Sequence, residues 1–125
     1  LLGIHEVYRF EKQKGVADGF FKIGNLAVLY DCTLREGFEE DKRHQIENYC
    51  NTLKSGNIDL EAKTVNVVNC EKQVWIITRG ATRLLKKVDD IEVKEVSVDK
   101  LIELYTLRLK DNVDEKGLID VLRSL

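Results

Sequence analysis

Proline and methionine are absent from this 125-residue sequence, which also holds only one tryptophan and three cysteines. The absence of proline excludes a polyproline linker within the chain. No apolar run approaches the roughly 18–20 residues that a membrane-spanning helix needs, and no signal peptide is recognisable. We therefore expect a protein without a membrane segment, in an intracellular compartment, cytoplasmic or nuclear.

The cysteines, Cys32, Cys50 and Cys70, match no zinc-binding spacing, and an odd number argues against a disulfide framework. Because each lies among apolar residues, we expect three small buried side chains in a reducing compartment. The net charge of -2 does not by itself predict a nucleic-acid partner. Any contact with DNA would have to come from local groups of basic residues.

The length suits one domain, which we assign to residues 1–125. The chain begins without an initiator methionine, and Leu1-Leu2-Gly3 resembles the last turn of a helix that a glycine closes. We therefore expect a fragment of a longer, multidomain protein.

Hydrophobic periodicity predicts the elements of an α/β fold. Alternation or buried apolar runs predict strands over 4–10, 17–23, 26–33, 73–78 and 91–96. An apolar stripe predicts a helix over 39–54, and further helices are expected over 80–88, after Ser97 or Asp99, and after Asp114. Residues 64–69 fit either a continued helix or a strand. This order predicts a mixed central β-sheet with helices on both faces.

A short hairpin is predicted to bring two aspartates together. If Gly24-Asn25 is a two-residue loop, Ile23 pairs with Leu26 and Asp18 lies directly opposite Asp31. Opposed residues share one face of the sheet, with Cβ atoms about 4.5–5.5 Å apart.

Two carboxylates at that separation repel each other unless a cation or a shared proton lies between them. A hard divalent cation such as Mg²⁺ is commonly held by one or two carboxylates together with water and substrate phosphate. Such an ion can activate water and stabilise charge on a phosphate oxygen. The register thus predicts a metal site at Asp18 and Asp31. The alternative is that Asp18-Gly19 is only a turn dipeptide and Asp31 only the end of a strand.

Several short motifs follow one another along the chain: Ala17-Asp18-Gly19, residues 28–33, residues 45–49, residues 74–79 and residues 93–101. Their order and spacing resemble the PD-(D/E)xK nucleases, and in particular the cleavage domain of FokI-type restriction enzymes. The resemblance implies a restriction-endonuclease-like fold in which the two aspartates hold Mg²⁺ or Mn²⁺. It also implies a lysine, two positions after the second carboxylate, that positions the attacking water.

This sequence departs from that pattern because Thr33 occupies the lysine position. Alternate strand residues share a face, so Thr33 should point at the metal while Cys32 points into the core. A threonine hydroxyl forms hydrogen bonds but supplies no positive charge. Arg35 would share the same face and could stabilise the transition state, although arginine cannot act as a base. Lys12 and Lys14 could fold back toward the site.

Two groups of basic residues are candidates for contacts with DNA phosphates. They are Lys42 with Arg43, and Arg79 with Arg83, Lys86 and Lys87 on the expected helix over 80–88. The alternative is a solvated helix face.

Three functions therefore stay open. The first is a metal-dependent endonuclease on double-stranded DNA, the cleavage module of a restriction-type enzyme, with Asp18, Asp31, Thr33 and Arg35 as its catalytic residues. Since one such site cuts one strand, this function would require a homodimer or a larger assembly. The second is a degenerate nuclease fold that binds DNA or dimerises. The third is a protein-interaction domain with a coincidental aspartate pair. An active enzyme needs a replacement cation within reach of Asp31.

Overall fold

The structure, a computed structural model, describes residues 6–9, 17–33, 37–60, 63–111 and 115–125. The strands within these ranges are β1 (Glu6–Arg9), β2 (Gly19–Ile23), β3 (Leu26–Cys32), β4 (Asn57–Asp59), β5 (Thr64–Asn66), β6 (Glu71–Thr78), β7 (Arg83–Val88) and β8 (Ile91–Ser97). The helices are α1 (Phe38–Asp41), α2 (Arg43–Lys54), α3 (Val98–Asp111) and α4 (Glu115–Arg123). None of these helices combines the length and the apolar composition needed to cross a membrane.

Six strands form one mixed sheet in the order β1-β2-β3-β6-β8-β7, and β4 pairs with β5 separately. The strands β1, β2 and β3 are antiparallel neighbours, whereas β3, β6 and β8 run parallel. The edge strand β7 is antiparallel to β8. The predicted mixed sheet is confirmed.

Each face of the sheet has its own apolar core, because successive strand residues point to opposite faces. On one face Leu29 and Ile76 belong to a buried cluster with Ile46 and Leu53 of α2. Burial of one such aliphatic side chain contributes about 1.5–3 kcal/mol. This face also carries the polar residues described below.

The opposite face is covered by α3 and α4. Val28 and Trp75 cluster there with Leu104, Leu118 and Leu122. The end of α4 is also held to the sheet by hydrogen bonds, since the carbonyl of its last residue accepts from side chains of β6 and β8. Helices thus cover both faces of the sheet, as the sequence predicted.

The β2–β3 hairpin has the predicted register. Ile23 pairs with Leu26 and Gly19 with Tyr30. Gly24 has φ +56°, the positive value expected for the first position of this loop. A Cβ atom at Gly24 would also lie 2.6 Å from Cδ1 of Ile119, so α4 packs directly on the turn.

Two expected elements differ in the structure, and one open alternative is decided. The predicted helix over 80–88 is wrong, because Arg83–Val88 forms strand β7. The register shift between Leu84 and Lys86 interrupts the two-residue alternation of this strand, which hides it from a periodicity argument. The helix expected over 39–54 is divided at Lys42 into α1 and α2. The undecided stretch 64–69 contains β5.

The cysteine prediction is only partly confirmed. Cys50 is buried and Cys70 is half-buried, but Cys32 is exposed. Because Cys32 alternates with buried Asp31 on β3, its side chain points to the opposite face, at the last residue of the strand. The start of the last helix expected at Asp114 lies outside the described residues.

Candidate functional site

Asp18 and Asp31 meet at one end of the β2–β3 hairpin. Asp18 immediately precedes β2, and Asp31 is the penultimate residue of β3. The Oδ2 atom of Asp18 accepts a hydrogen bond of 2.8 Å from the backbone N–H of Cys32. This bond crosses from one strand to the other and fixes the Asp18 carboxyl beside that of Asp31.

The two carboxyl groups interact directly. Burial, a side-chain hydrogen bond to Asp31 and the charge of Asp31 all raise the pKa of Asp18 above its usual value. The Cys32 N–H and the charge of Lys42 act in the opposite direction, toward a lower pKa. The environment of Asp18 therefore disfavours a second negative charge at this point unless a cation offsets it.

Lys42 supplies a positive charge at this pair. Its Nζ atom lies 2.5 Å from Oδ2 of Asp31, and 18% of its side chain is exposed. Lys42 stands at the break between α1 and α2, with φ -102° and ψ 7°. Its backbone N–H donates to the carbonyl of Phe38 at 2.8 Å. The break in the helix thus positions an ammonium group over the carboxylates.

Tyr49 of α2 completes the contacts of Asp31. Its hydroxyl donates to the same Oδ2 atom at 3.3 Å. Burial, the charge of Asp31 and this hydrogen bond raise the pKa of Tyr49, so the phenol stays protonated and remains a donor. The buried Asp31, which is 5% exposed, therefore has two side-chain donors on one oxygen.

Lys42 is predicted from the sequence as a DNA contact, whereas its contact with Asp31 is not predicted. A signal was nevertheless present, because Lys42, Ile46 and Tyr49 stand at i, i+4 and i+7. This spacing continues the buried stripe of α2 toward its N-terminal end. A lysine at the end of such a stripe faces the sheet, not the solvent.

Thr33 follows Asp31 on the same face, as predicted. It is 8% exposed, and its backbone N–H donates to the carbonyl of Ile77 at 3.0 Å. Its side chain carries no charge. Arg35, Lys12 and Lys14 lie outside the described residues, so Lys42 is the cation that the structure shows at Asp31.

A second polar cluster lies on the same face of the sheet as Asp31, on the far side of β6. Ile76 pairs with Asp31 on one side and with Glu95 on the other. Glu95 is 6% exposed and accepts hydrogen bonds from Oγ1 of Thr78 at 2.5 Å and from Nε of Arg83 at 2.8 Å. A guanidinium nitrogen of Arg83 also contacts Glu39 of α1.

The other predicted basic residues are exposed. Arg43 begins α2, Arg79 follows β6, and Lys86 and Lys87 lie on β7 together with Arg83. The basic group near the C-terminal end of β6 therefore occupies a turn and an edge strand in place of the expected helix. Its contacts with DNA stay a prediction.

The aspartate pair fits a hard divalent cation by its donor chemistry. Mg²⁺ needs only one or two protein carboxylates, because water and phosphate supply its other ligands. The described part of the chain holds no group of three or more histidine, cysteine, aspartate or glutamate side chains suited to a metal. An ion held by Asp18 and Asp31 would therefore take most of its ligands from water and substrate.

Comparisons with known proteins identify the fold. No protein-family model matches the chain, and no curated protein sequence matches it. Among solved structures, the chain is similar to the small subunit (R.BspD6I2) of the heterodimeric restriction endonuclease R.BspD6I, with a TM-score of 0.67 and 14% sequence identity. The alignment covers 98% of this chain and 71% of that subunit. The chain thus has a restriction-endonuclease-like fold.

Proposed function

We propose that this chain is a metal-dependent endonuclease domain that hydrolyses phosphodiester bonds of double-stranded DNA, as the cleavage module of a restriction-type enzyme. The observation that carries the proposal is the contact of two carboxylates, Asp18 and Asp31, with the Lys42 ammonium 2.5 Å from Asp31. The likeness to a restriction-enzyme subunit supports the same class of function.

The roles of the residues follow from their charges. Asp18 and Asp31 would hold Mg²⁺ or Mn²⁺, which, when bound, supplies an activated water and neutralises charge on the phosphate. Lys42 has three N–H donors, of which one contacts Asp31 and another makes a 3.4 Å contact with Gln45. The third would donate to a phosphate oxygen or to the attacking water. Lys42 would thus supply the positive charge that Thr33 lacks.

A second candidate is a DNA-binding or dimerisation module that has lost cleavage. It is favoured by the same ion pair, because Lys42 already offsets the charge of Asp31 without a metal. Under this candidate the lysine stabilises a former active site and does not take part in a reaction.

Plasmid nicking in Mg²⁺ or Mn²⁺ separates these candidates. We expect the parent chain to nick supercoiled DNA and Asp31→Asn to abolish nicking. Removal of one positioned donor reduces kcat by about 10²–10³-fold in well-studied sites, so we expect Lys42→Met to fall in that range. In the Lys42→Met background, Thr33→Lys should restore part of the activity, since the same face then carries an ammonium again.

Lys116→Met is the matched control, because it removes an exposed lysine on α4, which packs on the other face of the sheet. It should retain the parent rate. An inactive parent that gains nicking through Thr33→Lys would favour the second candidate. Nicking that is indifferent to both aspartates would refute the nuclease site and leave a protein-interaction domain.

A further inference from the structure

A pocket of about 460 Å³ opens beside the carboxylate pair, on the same face of the sheet. The polar residues that line it are Thr33, Glu39, Thr78, Arg79, Arg83 and Glu95. Thr33 follows Asp31 by two residues, so the pocket begins about 6.6 Å along the strand from the aspartates. A nucleic-acid strand carries one phosphate per nucleotide, so a pocket at this distance is within reach of the phosphate adjacent to one bound at the aspartates.

Arg79 is the cation available in this pocket. It is exposed, and within the described ranges its guanidinium forms no ion pair or hydrogen bond with another residue. A guanidinium presents paired N–H donors whose geometry matches phosphate oxygens. Arg79 therefore has both the charge and the free donors that a phosphate requires.

The acidic residues of the pocket are already bound. Glu95 is buried and held by Thr78 and Arg83, so it forms part of the wall. Glu39 pairs with Arg83 near the surface, where their side chains are 54% and 49% exposed. Exposed ion pairs are weak because water competes for both partners. A phosphate could therefore take the place of Glu39 on Arg83.

The turn after β6 is closely fitted to the pocket wall. The backbone N–H of Gly80 donates to Oγ1 of Thr78 at 2.9 Å. A Cβ atom at Gly80 would lie only 2.6 Å from Oε2 of Glu95. The glycine thus lets the turn approach the buried carboxylate and fixes the backbone next to Arg79.

We propose that this pocket binds the DNA phosphate next to the one that is cleaved, with Arg79 as its main ligand and Arg83 as its second. The inference rests on the proposed nuclease function and names how that site holds its substrate strand.

Inorganic phosphate is the probe for this site, titrated by NMR into the protein in the presence of EDTA. We expect shifts of the amide signals of Thr33, Arg79 and Gly80. Arg79→Gln should weaken phosphate binding by about tenfold, since a charge-assisted bidentate contact is lost. Glu39→Gln should strengthen binding severalfold because it releases Arg83. The charge-matched control Lys116→Gln should leave the affinity unchanged.

The proposed phosphate site would be refuted if phosphate shifted only the signals around exposed lysines. It would also be refuted if Arg79→Gln and Lys116→Gln lost affinity equally. Because EDTA removes divalent ions, this binding is measured independently of cleavage, so it can succeed where nicking fails. Conversely, if the parent nicks DNA and Arg79→Gln keeps the parent KM and salt dependence, the proposed phosphate site is wrong while the proposed nuclease function is retained. We expect Arg79→Gln to reduce the salt slope of duplex binding by about 0.9, the value for one phosphate contact.

Discussion

Asp18 is a residue of the proposed site whose negative charge is unfavourable in the folded protein. Its carboxyl is half-buried beside Asp31, and its pKa is raised mainly by burial. The folded state therefore favours the protonated form of Asp18. A charge on Asp18 is therefore opposed by its surroundings, and perturbed pKa values of this kind cluster at functional sites.

Asp18→Asn should raise the melting temperature at pH 7 by a few degrees, because it removes a charge that the fold disfavours. A carboxyl whose folded pKa is raised contributes stability that is fully present below its ordinary pKa, 3.8, and is lost as the pH rises through the folded value. The difference between variant and parent should therefore shrink on acidification and vanish near pH 3.8. Thermal melts monitored by circular dichroism across this range measure it.

Asp90→Asn is the control, because Asp90 is exposed in the turn before β8. It should melt like the parent at each pH. Added Mg²⁺ should raise the melting temperature of the parent more than that of Asp18→Asn, since a ligand stabilises the state that binds it. A melting temperature of Asp18→Asn at or below that of the parent at pH 7 would contradict the electrostatic account.

The β2–β3 hairpin is the element that aligns the two aspartates, and Gly24 determines its turn. This glycine combines a positive φ with close packing against Ile119 of α4. Gly37 has a similar φ of +67°, but a Cβ atom placed there would have no neighbouring atom within 4 Å. Gly37 therefore isolates the effect of backbone conformation from the effect of packing.

Gly24→Ala should destabilise the protein by more than Gly37→Ala. Backbone strain from a non-glycine residue at positive φ costs about 1–3 kcal/mol at either position, and Gly24→Ala adds the clash with Ile119. Urea unfolding measures both changes. In an Ile119→Val background, which removes the contacted Cδ1 atom, the effect of Gly24→Ala should decrease. Equal losses of unfolding free energy in Gly24→Ala and Gly37→Ala would show that α4 does not pack tightly on the turn.

Element types and register were predictable where a local rule applied. The apolar stripe predicted the helix α2, apolar residues predicted the strands β2 and β3, and the two-residue loop Gly24-Asn25 predicted their register. Assignment failed at β7, where the register shift breaks the alternation and pairing with β8 overrides a local pattern compatible with a helix. The break at Lys42 also lacks a local signal, since neither proline nor glycine stands there.

At the scale of the whole molecule, a single aspartate pair can act on one phosphodiester bond at a time. The proposed enzyme therefore cuts one strand per encounter, and cleavage of both strands needs a second copy or a partner. We expect open-circular plasmid to accumulate before linear plasmid at low protein concentration.

The rate of linear-DNA formation should rise with about the second power of protein concentration if two copies act together. Gel analysis of time courses over a range of concentrations measures this order, and Asp31→Asn serves as the inactive control. Linear DNA that forms from the start with first-order dependence would contradict a single-strand cutter.

The sequence by itself determined the sheet's central strands and the meeting of Asp18 with Asp31. These features follow from short-range rules, a two-residue turn and an alternation of period two, which act between residues close in the chain. Tertiary structure decided which cation contacts Asp31 and how Glu95, Arg83 and Glu39 form a pocket wall. Those contacts join residues 11 to 44 positions apart, whose proximity depends on how helices and strands pack.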